Sequence, residues 1–122
     1  MSAKFTYADL EYLESMSMGS NEMIVEMIDL FVAQSDEMID DINQHFQNDD
    51  FENLKKTLHK LKSSANLFQI SELVDIIIDF ESKNKDNFNK ETLSTLVREI
   101  VKIVLTAKEQ LGIEKARLVE KH

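Results

Sequence analysis

Residues that interrupt helices are almost absent from this chain, and their absence limits its fold more than any other feature. The 122 residues include no proline and only two glycines, Gly19 and Gly112. Sheet proteins need many Gly, Asn and Pro residues in their turns, whereas residues that favour helices dominate here. The sequence therefore predicts an all-α fold.

Apolar residues recur at alternating steps of three and four, which is the spacing of one face of an amphipathic helix. This pattern predicts a short helix over about residues 6–16, with Thr6 as its N-cap. It also predicts four longer helices, whose apolar faces span residues 24–46, 51–68, 70–80 and 93–111. The polar stretch between residues 82 and 90 is expected to be the longest loop.

Long helices joined by short connections pack most simply as an antiparallel up-down four-helix bundle, with the short first helix as a lid. We expect one domain over residues 1–122, because a chain of this length buries one core. The core is expected at about residues 20–112. Gly112 supplies a helix stop signal, so residues 113–122 are expected to form a frayed tail.

The composition argues against several classes of protein. There is no cysteine, so disulfides and thiolate metal sites are excluded. No apolar run approaches the roughly 20 residues of a membrane span, and residues 1–5 lack a signal-peptide pattern, so a cytoplasmic protein without a membrane partner is expected. The net charge of -9 repels nucleic-acid phosphates and favours a monomer.

The most informative segment is residues 57–68, where a histidine lies outside the apolar face of its helix. That face is expected to consist of Leu54, Leu58, Leu61 and Ala65. His59 lies roughly 120° around the helix from the centre of the face, so its ring should meet solvent. Its helical neighbours are Lys55, Lys56, Lys62 and Ser63.

A neutral imidazole has a nucleophilic nitrogen, and lysine side chains attract phosphoryl oxygens. The surroundings of His59 therefore suit phosphoryl chemistry. Taken alone, however, an exposed histidine among lysines is most often ordinary helix surface.

The residues that follow this histidine resemble the signature of the histidine phosphotransfer (HPt) family. In that signature a histidine is followed three residues later by lysine and then by glycine and serine. His59, Lys62 and Ser64 match three of these positions. The resemblance covers about residues 20–112 and includes two further elements, Leu30-Phe31 and Phe80-Glu81.

The resemblance implies a four-helix bundle that works in a two-component phosphorelay. His59 would accept a phosphoryl group from a receiver-domain aspartate or a hybrid histidine kinase, and would pass it to another receiver. Lys62 would neutralise the phosphoryl charge. Glu81 would accept a hydrogen bond from Nδ1 of the ring and leave Nε2 as the nucleophile, although an ordinary surface carboxylate is an equally open interpretation. Such a chain is a stoichiometric carrier rather than an enzyme, and it needs no cofactor.

Two positions depart from the family pattern, because Ser63 and Gln69 stand where the family usually has glycine. The side chain of Ser63 could crowd an incoming receiver domain, or its hydroxyl could donate to the phosphoryl group. Crowding would favour a second function, in which the chain is a degenerate HPt-like adaptor that binds a receiver or kinase without carrying phosphate. Gln69 affects only the shape of the turn that follows.

The sequence does not indicate other kinds of site. With only two glycines there is no glycine-rich phosphate loop, so a self-sufficient kinase is excluded. A carboxylate-bridged metal site would need Glu-x-x-His pairs, and none occurs. His45 is expected at the boundary of the core, and His122 in the tail. The receiver contacts are expected to come from Leu67 and from some of Tyr7, Met16 and Met18.

Overall fold

The computed structural model describes residues 20–83 and 90–120, which form four helices. They are α1 (Asn21–Gln47), α2 (Phe51–Leu67), α3 (Ser71–Lys83) and α4 (Lys90–Glu120). No strand occurs in these two ranges, so the predicted all-α fold is confirmed. The helix predicted over residues 6–16 lies outside the described residues, as do Tyr7, Met16, Met18 and His122.

The four helices pack as a ring in which each packs mainly against two others. Helix α1 packs against α2 and α4, and α3 packs against the same two helices. Two ion pairs give the direction of α4 relative to α1. Asp36 pairs with Lys108 at 2.5 Å, and Asp29, nearer the start of α1, pairs with Lys115, nearer the end of α4, at 2.6 Å. The two helices therefore run antiparallel, as the predicted up-down bundle requires.

Side-chain caps begin the first two helices. Asp50 Oδ1 accepts the backbone N–H of Asn53 at 3.3 Å, and its Oδ2 accepts the side-chain amide of Asn53 at 2.7 Å. The side-chain hydrogen bond and then the backbone one lower the pKa of the Asp50 carboxyl. Ser20 caps α1 by accepting the N–H of Met23 at 3.4 Å. These contacts satisfy N–H groups that a helix start leaves unpaired.

The turns after α1 and α2 each contain one residue in the left-handed backbone region. Asp49 has a φ of 56° and Gln69 a φ of 54°. For a residue with a Cβ atom this conformation costs roughly 1–2 kcal/mol. The Asp49 carboxylate accepts a hydrogen bond from Nζ of Lys90 at 2.6 Å, which ties this turn to the start of α4. His45, half-buried as predicted, lies in the last turn of α1 beside the same turn.

Helix α4 does not end at Gly112, so the predicted stop at this residue and the frayed tail predicted after it are wrong: the helix runs on to Glu120. Leu118 is buried, and the buried carboxylate of Glu114 is bound by Arg117. One helical glycine costs about 1 kcal/mol, whereas burying a leucine side chain stabilises by about 1.5–3 kcal/mol. Packing of the helix therefore overrides the local preference of its glycine.

The core is formed mainly by the predicted apolar faces of all four helices, and α4 adds Ile103 and Leu118. Phe31 of α1 and Phe68, directly after α2, contact each other with ring centres 4.9 Å apart. In α2, Leu58 and Leu61 are fully buried. Their burial fixes the rotation of α2 about its axis and turns His59 outward. No helix in the described part of the chain is long and apolar enough to cross a membrane.

Candidate functional site

The candidate site lies in the middle of α2, on the side that faces away from the core. The side chain of His59 is 66% exposed. It is flanked in sequence by Leu58, which is buried, and Lys60, which is exposed. This orientation agrees with the helical spacing of the sequence, and it leaves the imidazole ring open to another molecule.

One carboxylate of α3 contacts two predicted site residues of α2. Oε2 of Glu81 lies 3.3 Å from Nδ1 of His59, and its Oε1 accepts a hydrogen bond from Nζ of Lys62 at 2.6 Å. Phe80, the residue before Glu81, is buried in the core and holds this part of α3 against α2. The structure thus brings together three of the four predicted site residues in one hydrogen-bonded group.

The charge of Glu81 determines which ring nitrogen of His59 is free. The hydrogen bond from Lys62 lowers the pKa of the Glu81 carboxyl, burial opposes this shift, and the hydrogen bond with His59 adds to it. An ionised carboxylate can only accept hydrogen bonds. In the neutral ring the proton must therefore be on Nδ1, which donates to Glu81, and the lone pair on Nε2 is free.

The fourth predicted residue, Ser63, lies on the other side of His59. An open cleft of about 440 Å³ separates α2 from α1 here, and its α2 wall includes His59, Lys60 and Ser63. The α1 wall carries two carboxylates, Glu37 and Asp41. The position of these carboxylates across a cleft from the histidine depends on the packing of α1 against α2, so it could not be read from spacing along one helix.

An apolar surface continues from the cleft along α1 and α2. A small groove of about 50 Å³ is lined in part by Met27, Leu30 and Leu67. Leu30 is 57% exposed and Met23 is 48% exposed. Leu67 was expected on such a surface. The α1 residues were missed, although Met23, Met27 and Leu30 have helical spacing on a face that differs from the buried seam.

Comparison with known families identifies the region that contains this site. A family model described as Hpt domain matches residues 26–109, which is more than half of the chain. The matched range includes all of α2 and α3, and most of α1 and α4. No curated protein and no solved structure gives a significant match.

Proposed function

Because the chain belongs to the Hpt domain family, we propose that it is a phosphorelay protein that carries a phosphoryl group on His59. It accepts the group from the aspartate of a receiver domain, or from a hybrid histidine kinase, and passes it to another receiver. The observation that supports His59 as acceptor is the contact of its Nδ1 with Glu81 at 3.3 Å. This contact keeps Nε2 unprotonated on an exposed ring.

The transfer can be written with the residues of this site. The lone pair of Nε2 attacks the phosphorus atom of the aspartyl phosphate, and the bond from phosphorus to the aspartate oxygen breaks as the N–P bond forms. The aspartate carboxylate leaves with the electron pair. The His59 ring becomes positively charged with its proton still on Nδ1, where the Glu81 carboxylate stabilises it.

Two neighbours of His59 contribute to the same step. Lys62 holds Glu81 ionised through the 2.6 Å hydrogen bond, and its charge also offsets that of the phosphoryl group. Ser63 is exposed one helical turn after His59 and lines the same cleft, so its hydroxyl can donate to a phosphoryl oxygen. In this proposal the chain is a carrier without turnover, and it needs neither cofactor nor metal.

The surface around His59 suits a receiver domain as partner. Lys56 and Lys60 are exposed in a chain of net charge -9, so this face differs in charge from most of the surface. Exposed Leu30 lines the groove next to the cleft and supplies apolar contact area there. We expect a small, transient interface formed by a monomer, with no affinity for nucleic acid. The predicted cytoplasmic location stays a prediction.

A transfer assay tests this function. A panel of phosphorylated receiver domains is mixed with the wild-type chain and with His59→Gln, and acid-labile, base-stable phosphate is measured on the 14.1 kDa protein. Label on the wild type alone supports His59 as the carrier. If receivers bind both proteins but label neither, the chain is an adaptor, and Ser63 is then the residue to replace with glycine.

A further inference from the structure

The two sides of the His59 ring have different neighbours. On the α3 side, Glu81 and Lys62 are bound to each other, with Lys62 21% exposed. On the α1 side, the ring borders the open cleft, where Lys60 and Ser63 are both exposed. Lys60 forms no ion pair with any residue in ranges 20–83 and 90–120, so its ammonium group is available there.

The chemistry of the ring decides on which side a phosphoryl group must lie. Nδ1 and Nε2 point in nearly opposite directions from an imidazole ring. Because Nδ1 of His59 faces Glu81 at 3.3 Å, Nε2 points away from Glu81 and Lys62. A phosphoryl group on Nε2 therefore extends away from the α3 side, and the cleft is the open space that the ring borders.

We propose that Lys60 and Ser63 bind the phosphoryl oxygens of phosphorylated His59 directly, and that Lys62 acts mainly through Glu81. This inference rests on the proposed function and assigns the parts of its site. Ser63 follows His59 by four residues and Lys60 by three, so it is the helical neighbour of both. The four-carbon stem of Lys60 lets its ammonium group reach an oxygen in the cleft that the two side chains share.

The state of Lys62 argues against it as the direct partner. Its ammonium group would have to leave a carboxylate at 2.6 Å, and Glu81 is itself only 31% exposed. That move would leave the partly buried Glu81 carboxylate without its cation, and this carboxylate is also the group that orients the ring. Lys60 loses no ion pair when it turns to the phosphoryl group.

The opposite wall of the cleft explains why a cation is needed on this side. Glu37 and Asp41 line the same space, and both would repel a dianionic phosphoryl group. Lys60 is the lysine that lines the cleft with them. Its charge offsets this repulsion, and the Ser63 hydroxyl adds a neutral donor.

A pH titration of the phosphorylated chain tests which side chains lie near the phosphoryl group. The full chain is phosphorylated with phosphoramidate, which needs no receiver, and the pH titration of the phosphohistidine is followed by phosphorus NMR. Removal of a cation near the phosphoryl group disfavours the more negative, deprotonated form of the phosphohistidine and raises the titration midpoint. We expect Lys60→Gln to raise the midpoint by about half a pH unit, Ser63→Ala to raise it less, and Lys62→Gln to raise it by less than half the Lys60→Gln shift.

Two lysines serve as matched controls. Lys56 is exposed one turn before His59 but does not line the cleft, and Lys102 is exposed on α4. A midpoint shift from Lys56→Gln or Lys62→Gln as large as that from Lys60→Gln would overturn the proposal, since a general field of lysines would then explain it. Lys102→Gln measures the effect of net charge alone, and an equal shift there has the same meaning.

Nitrogen NMR of the unphosphorylated ring tests the second half of the inference. Lys62→Gln should alter the Nδ1 and Nε2 signals of His59, because Glu81 loses its partner, whereas Lys60→Gln should leave them unchanged. The reverse pattern contradicts the assignment. If the folded wild type takes no label from phosphoramidate or from any receiver, the proposed function fails and this inference fails with it. If the wild type takes label but its titration midpoint equals those of the variants, this inference is wrong while the proposed function stands.

Discussion

The Glu81 carboxylate lies 3.3 Å from the ring of His59 and reaches it from a neighbouring helix. Its other oxygen is bound by Lys62 at 2.6 Å. The orientation of the histidine therefore depends on the contact between α2 and α3 as well as on its own helix.

Replacement of Glu81 should slow phosphorylation of His59 without unfolding the chain. Glu81→Ala removes the acceptor for Nδ1, so the ring populates both tautomers. Loss of a hydrogen bond to a charged group costs about 1.5–3 kcal/mol, which corresponds to a fall of roughly tenfold or more in the transfer rate. Glu81→Gln keeps an oxygen acceptor, so its transfer rate should lie between those of the wild type and Glu81→Ala. The initial rate of transfer from a phosphorylated receiver measures both, with Glu72→Ala as control on the exposed face of α3.

The same carboxylate should give the stability of the chain a dependence on acidic pH. The folded-state pKa of Glu81 is lowered, first by the hydrogen bond from Lys62. Its contribution is therefore complete above the unfolded pKa of about 4.3 and is lost as the pH falls through the lower folded value. Urea unfolding of wild type and Glu81→Gln from pH 7 to pH 3 should give a difference in unfolding free energy that shrinks below about pH 4.3. A difference that grows on acidification would contradict this sign.

Gln69 offers a test of backbone strain in the turn after α2. Its φ of 54° is in the left-handed region, where a Cβ atom is unfavourable. Gln69→Gly should therefore be more stable than Gln69→Ala by about 1 kcal/mol, measured by chemical denaturation. At the exposed helical position Lys102 the order should reverse, because glycine destabilises a helix relative to alanine by about 1 kcal/mol. The same order at both positions would rule out strain at Gln69.

Gly112 should be replaceable with a gain in stability. A Cβ atom added there meets nothing within 4 Å, and the residue lies inside α4. Gly112→Ala is expected to raise the unfolding free energy by about 1 kcal/mol, seen as a higher midpoint in thermal unfolding. A decrease would mean that another molecule, such as a second copy of the chain, approaches this position closely in solution.

The spacing of apolar residues predicts most of the fold, because each helix must bury one face. The burial of Leu58 and Leu61 and the exposure of His59 follow from that spacing alone. The end of α4 does not, since the burial of Leu118 depends on a neighbouring helix while the local signal at Gly112 favours a stop.

The sequence predicts only part of the geometry of the candidate site. His59, Lys62 and Ser63 share one helix, so their relative positions follow from helical geometry. Glu81 is 22 residues after His59, and its pairing depends on how far α3 is rotated and shifted against α2. Family resemblance suggests that pairing, but residue spacing cannot. In the same way, the position of Glu37 in the cleft beside His59 depends on how α1 packs against α2.

Because α4 is long, the folded unit extends beyond the end of the family match. The family match ends at residue 109, yet the buried side chains of Leu111 and Leu118 come after it, as does the Lys115 that pairs with Asp29. A recombinant fragment trimmed to the matched range would keep His59 and every neighbour argued to serve it. It would also lose residues 21–25 of α1, and it would leave the part of α1 around Asp29 without the end of α4 that pairs with it. The resulting apolar surface would favour aggregation before any transfer could be assayed.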